Sequence, residues 1–301
     1  MEQAIQTVQE RIQSPCAPAR AVRRLPSMSL EGRTLFITGA TRGIGLAIAL
    51  RAARDGANVA LLGKTVEPQA NLPGTLSTAA QAVEEAGGHA LPIRCDIRSE
   101  EQVERAVAET VERFSRIDIL VNNASAIQLS GTTETPLKRF DLMHQVNARG
   151  TFLCGQKCIP HLKRGQNPHI LTLSPPPDLR PEYFGPHLGY SLAKFGMSLC
   201  TLAWALELAP LGIAANSLWP RTIIDTAAVR NLLGGPEAAS RGRRPEIVAD
   251  AAYALLCRPS ATCTGRFAID EDVLREEGVS DFDAYAATPG AALLPDLFLP
   301  T

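Results

Sequence analysis

No apolar run in this chain approaches the roughly 20 residues that would cross a bilayer, so no membrane span is expected. Excess charge of one sign is missing too. Charged residues make up 20% of the 301 and the formal net charge is −1, which leaves no basic patch for a nucleic-acid partner. A paired set of cysteines is also lacking. The seven (16, 95, 154, 158, 200, 257 and 263) are odd in number and lie mostly in apolar segments. That usage fits reduced thiols in a cytoplasmic protein rather than a disulfide framework. Cys154 and Cys158 stand one helical turn apart with His161 following. Zinc motifs use tighter cysteine pairs and a second ligand cluster, so no metal is expected. There is no internal repeat. Residues 1–28, a short helical stretch and then a Pro/Arg/Ala-rich linker, lack the apolar core of a secretion signal. They read as a surface arm. Their arginines leave organelle targeting open, although Glu2 and Glu10 argue against it.

Residues 29–301 instead carry one alternating pattern. Short β-rich runs at 34–39, 58–63, 89–96, 117–124, 169–174, 213–220 and 266–271 are nearly continuous in apolar residues, as in strands covered on both faces of a parallel sheet. Helical stretches separate them. One begins at Ser99 with Gln102 in capping-box spacing and places Val103, Val107, Val111 and Phe114 on one stripe. Glycines in DGAN (55–58) and AGGH (86–89) stop helices before the next strand. The expected architecture is a single doubly wound, Rossmann-type α/β domain: about seven parallel strands with helices on both faces.

The strand at 34–38 runs into TGATRGIG (38–45) and then a helix. Strand, glycine loop and helix in that order make a phosphate-binding turn, with the pyrophosphate facing the helix N-terminus. Gly39, Thr41, Arg42, Gly43, Ile44 and Gly45 are the candidate contacts. The second strand ends in ALLGKT with no acid between Ala57 and Val66, where an NAD site usually has a carboxylate for the ribose. Lys64, joined by Arg42, would instead meet a 2′-phosphate, which points to NADP(H). Asp96, at the end of the third strand, is placed to accept from the adenine amine, or else to cap a helix.

With this loop, NNAS (122–125), QVNARGTF (145–152) and the Tyr190-x-x-x-Lys194 pair stand in order along the chain. Together they resemble the short-chain dehydrogenase/reductase family over about residues 30–275. GKT, NNASAI, LSPPP, LWPRT and FAIDEDVLREEG look like its hydroxysteroid dehydrogenase-like branch, whose animal members add a sterol-carrier domain. The chain stops near DLFLPT, so it would be the reductase half alone.

The resemblance implies roles. Tyr190 would be the general acid/base, its phenol pushed toward ionisation by the Lys194 ammonium. Lys194 would also hold the nicotinamide ribose, Asn147 a water leading to solvent, and Asn123 the floor of the cofactor site. Thr222 or Thr226 would reach the nicotinamide carboxamide. A small alcohol, ketone or aldehyde would be the substrate, and a homodimer or homotetramer the assembly. One position departs from the pattern: the strand-end serine that hydrogen-bonds the substrate carbonyl aligns with Pro175, one place after Ser174. Ser174 would have to turn inward to serve. The segment 223–246 is the expected lid, apolar with a basic cluster at Arg241, Arg243 and Arg244 that would face water or an acidic substrate tail. The competing reading is a nucleotide- or lipid-binding protein of this fold with weak or no turnover.

Overall fold

The structure, a computed structural model, describes residues 29–70 and 72–300. The arm expected at 1–28 lies outside the described residues. Seven strands, all paired in parallel, build one sheet: β1 (Thr34–Thr38), β2 (Asn58–Gly63), β3 (His89–Arg94), β4 (Ile119–Asn122), β5 (His169–Thr172), β6 (Ala214–Trp219) and β7 (Phe267–Ile269). Their order is β3-β2-β1-β4-β5-β6-β7. Each lies within its anticipated run.

Alternation explains why these strands are apolar throughout. Leu35 and Ile37 of β1 join Val59, Leu61, Ile119 and Val121 in a core on one face, against Ile48 and Ala52 of α1 (Gly43–Ala53) and Val83 of α2 (Leu76–Glu85). Phe36, between them, points the other way. There it meets Leu62, Leu120 and Ile170, covered by Val103 and Val107 of α3 (Glu100–Phe114) and by Cys154 and Cys158. The two cysteines are thus core residues, and burial pushes both thiols up. β3 differs from its expectation. It is a half-exposed edge strand, and its Pro92 is tolerated because an edge needs fewer ladder donors.

Past β4 the chain runs as a nearly unbroken helix from Leu137 to Leu162: α4 (Leu137–Met143), a π-helical turn over His144–Arg149, and α5 (Gly150–Leu162). The long α6 (Leu188–Glu207) packs across it. Short helices α7 (Ala227–Leu232) and α8 (Gly235–Ser240) follow β6; α9 (Glu246–Leu256) and α10 (Asp270–Glu276) flank β7. Strand order reverses between β1 and β4, so the crevice beyond their C-terminal ends is the natural ligand position of an open α/β sheet.

Candidate active site

A cavity of about 880 Å³ occupies that crevice. Gly39, Thr41, Arg42, Gly43 and Ile44 form its wall at the end of β1. Gly39 adopts φ +68°, a left-handed conformation that glycine permits without strain. Gly45 lies just behind the wall, where a Cβ would come within 2.5 Å of Asn123 Nδ2 and 2.6 Å of the Gly39 carbonyl. Asn123 Nδ2 donates to the Thr38 and Gly39 carbonyls at 2.9 and 3.0 Å. This amide therefore fixes the bend from below.

At the far end stand Lys64 and Asp96. The Lys64 side chain is 60% exposed, and its Nζ lies 3.5 Å from Asp96 Oδ2. Arg42 is anchored, with Nε donating to the Pro73 carbonyl and Nη2 to the Gly74 carbonyl and Thr65 Oγ1. Both N–H groups of its Nη1 remain available to a ligand. Asp96 is held by Arg98, which donates to both its oxygens. That hydrogen bonding, with Lys64 nearby, holds the carboxyl down at about 2. The capping box expected at 99–102 forms only halfway. Ser99 Oγ accepts from Gln102 N–H, but the Gln102 side chain accepts from Asp96 N–H instead. Gln102 thus fixes the Asp96 backbone.

Tyr190 and Lys194 line the opposite end. One turn apart on α6, they share its inward face with Ser198 and Thr201. Lys194 Nζ donates to the Leu173 carbonyl at 2.7 Å, at the end of β5, and sits 5.1 Å from the Trp219 ring. Burial lowers its ammonium to about 7, an effect moderated by Asp296. The Tyr190 phenol is raised. Burial first, and Asp296 second, push it up; a hydrogen bond from Ser125 pulls it down. The phenol is therefore neutral in the resting site.

Asn147 is fully buried in the π-helical turn and acts at one remove. Its Oδ1 accepts from Ala126 N–H at 2.7 Å, and its Nδ2 donates to the Ala126 carbonyl at 3.0 Å. The side chain clamps the loop after β4.

Two expected residues are elsewhere. Ser174 is fully buried, its hydroxyl 2.7 Å from Ser217 Oγ, which donates to Thr201 Oγ1 at 3.1 Å. It belongs to a hydroxyl chain between the sheet and α6, not to the cavity. The inward turn does not occur: the backbone turns tightly at Leu173, where Ser174 N–H donates to the Thr172 carbonyl at 3.0 Å, and the hydroxyl is left in the core beside Ser217. Pro175 itself only accepts, from Ser198 Oγ. Thr222 does not line the cavity either. Its hydroxyl is buried without a partner, and its backbone bridges to Pro295. Thr226 is the threonine on the wall, and its hydroxyl caps α7.

Sequence reading gave no role to Ser125 and missed the C-terminal strap. Residues 282–299 fold back along the loop after β6. The arginines expected to face water or a substrate hold this strap: Arg241 Nε donates to the Ala292 carbonyl, Arg244 to the Ala284 carbonyl, and buried Arg243 pairs with Glu271 at 2.8 Å while donating to the Phe282 carbonyl. Asp296 N–H donates to the Arg221 carbonyl, and Trp219 Nε1 to the Leu297 carbonyl. Phe298 enters a ring cluster with Tyr183, His187, Tyr190, Phe195 and Trp219. The strap thereby places a carboxylate, Asp296, in the cavity wall beside Tyr190 and Lys194. The only hint was an acid in an otherwise apolar LLPDLFLP.

A family model for short chain dehydrogenase matches residues 33–234. The chain belongs to the short-chain dehydrogenase/reductase family. Among solved structures, a Xanthomonas campestris protein is 60% identical with a TM-score of 0.88, covering 91% of this chain and 100% of that one. A short chain dehydrogenase from Mycobacterium thermoresistibile is 57% identical with a TM-score of 0.86, covering 91% and 97%. Hydroxysteroid dehydrogenase-like protein 2 of Danio rerio is 56% identical over 270 residues, 90% of this chain. The chain spans 64% of that relative's length. This family's members are oxidoreductases, and membership implies a nicotinamide dinucleotide cofactor. A dinucleotide fits these residues: Gly39 and Gly43 leave the wall at the end of β1 without side chains, and the cavity runs from Lys64 to Tyr190.

Proposed function

We propose that this protein interconverts an alcohol and a carbonyl with NADP(H), Tyr190 exchanging the proton with the substrate oxygen. One observation carries the reading: a buried phenol and a buried amine share the end of a cavity that begins at a glycine-built phosphate wall. When bound, the dinucleotide supplies or accepts the hydride. The chain does the rest. Lys194, fixed to β5, presents its Nζ to the ribose, and Tyr190 gives its proton as a carbonyl is reduced or takes one as an alcohol is oxidised. Lys64 and the Nη1 of Arg42 would receive the 2′-phosphate, with Asp96 facing the adenine. Thr226, in place of Thr222, faces the carboxamide. Ile127, Leu142, Val146, Trp219 and Ile224 line the substrate side, which favours an apolar, lipid-like substrate.

The alternative, cofactor or lipid binding with little turnover, draws its support from the buried Ser174 and from Pro175, which offers no donor. One set of measurements separates the two. NADPH oxidation is followed across a ketone and aldehyde panel for the wild type and Tyr190→Phe, with NADPH and NADH dissociation constants for the wild type and Lys64→Ala. Turnover is expected to fall roughly 100- to 10,000-fold in Tyr190→Phe. Lys64→Ala is expected to weaken NADPH roughly ten- to hundred-fold and leave NADH unchanged. Undiminished turnover without the phenolic proton, or equal wild-type affinity for both nucleotides, refutes the corresponding half.

The same helix supports a homo-oligomer. Leu192, Leu199 and Leu206 recur every seven residues on the outer face of α6 and are 42%, 59% and 41% exposed. With Phe152 of α5 they form an apolar stripe suited to a second copy of this chain.

A further inference from the structure

A hydroxyl is missing where this family's fold needs one. Pro175 has neither a side-chain donor nor an N–H, and Pro176 repeats the defect. Ser174 faces the core. A substrate oxygen next to Tyr190 would lack its second donor unless another element supplies it.

Ser125 meets the geometric requirements. It lies in the loop after β4, on the cavity wall with Tyr190 and Lys194, and is exposed toward that space. Its hydroxyl is the neighbour that draws the Tyr190 phenol back down against burial. Its other contact is slight, 3.5 Å to the Ala126 carbonyl.

The loop is also stiff on both sides of Ser125. Upstream, Thr38 Oγ1 accepts from Asn123 N–H at 3.0 Å and from Ala124 N–H at 3.1 Å. Downstream, Asn147 grips both backbone polar groups of Ala126. A donor held before the reaction needs little reorganisation when charge develops on the substrate oxygen. The buried Asn147 thus acquires a positioning role through its neighbour.

Resting on the reading of Tyr190 as the proton carrier, we propose that the Ser125 hydroxyl, set by the Asn147 clamp on Ala126, donates to the substrate oxygen in place of the hydroxyl absent at Pro175. On substrate entry the Ser125 hydroxyl leaves its slight contact with the Ala126 carbonyl, and each of the two hydroxyls donates to the same substrate oxygen. No further group or co-reactant is needed.

The test compares Ser125→Ala, Ser125→Thr and Ser174→Ala. Ser125→Ala is expected to lower kcat roughly 100- to 1000-fold while NADPH affinity holds. Ser125→Thr, which keeps the hydroxyl, restores most of it, and Ser174→Ala stays within about threefold of wild type. A binding readout needs no turnover. Isobutyramide, whose amide oxygen imitates a substrate carbonyl, is titrated into the enzyme–NADPH complex by NADPH fluorescence. Its affinity should weaken about tenfold in Ser125→Ala. Wild-type kcat or wild-type isobutyramide affinity in Ser125→Ala overturns the proposal, as does a loss carried by Ser174→Ala. Should the wild type reduce no carbonyl at all, the reaction assignment fails while the isobutyramide titration still decides Ser125.

Discussion

At the scale of single residues, the site is governed by burial. Lys194 and Asp296, brought together from α6 and the strap, are both held near 7, the amine pulled down and the acid pushed up by desolvation. For an acid whose folded value lies above its unfolded 3.8, the stabilising contribution is complete below about pH 4 and is lost as pH rises through about 7. Asp270, raised to about 6, acts in the same direction. Buried His169, lowered to about 3, acts oppositely across an overlapping window, and Lys194 changes stability only between about 7 and 10.5. The difference between wild type and Asp296→Asn therefore isolates Asp296. Between pH 4 and 8 the variant should lose less stability than the wild type by roughly 2–4 kcal/mol. Urea midpoints at several pH values measure it, and parallel curves would show that Asp296 does not titrate in this window. Tyr190, Lys194 and the glycine turn were legible because each is a local pattern. Asp296 was not, because its significance lies in a contact more than a hundred residues away.

The elements divide along the same line. β1, the glycine turn and α1 follow from neighbouring residues, since a strand running into a positive-φ glycine and then a helix is local chemistry. The π-helical turn at His144–Arg149 left no comparable mark. It is one extra residue in a helix, stabilised by what Asn147 reaches across space. The arginine cluster was visible, but its partners were not, since backbone carbonyls of a distant strap carry no sequence signature. α6 is the element with the most work to do, showing Tyr190, Lys194 and Thr201 inward and the Leu192, Leu199, Leu206 stripe outward. If that stripe is the contact between copies, Leu199→Lys places a charge at its centre. The expected outcome is a smaller species by light scattering with the circular dichroism spectrum kept. An unchanged mass would assign the assembly to another face.

For the whole molecule, the sheet places the cofactor crevice and the strap closes its end at Tyr190. Its hold is cooperative. Arg241, Arg243 and Arg244 fasten its backbone, Trp219 donates to the Leu297 carbonyl, and Phe298 fills the ring cluster against Tyr190 at 5.9 Å. Phe298 is 4% exposed and adopts φ +66°, a conformation rare for a bulky residue and tolerated only where packing enforces it. Phe298→Ala removes that packing. Truncating a buried phenylalanine costs about 3–5 kcal/mol, and here the void opens directly beside the Tyr190 ring. The variant should therefore melt several degrees lower and lose turnover more than NADPH affinity, because the phosphate wall at β1 lies at the other end of the cavity. Thermal scans with and without NADPH, set beside kcat, read both effects. A variant with wild-type melting and wild-type kcat would mean that the strap merely lies on the surface; one that lost NADPH affinity first would mean that it braces the sheet rather than the site.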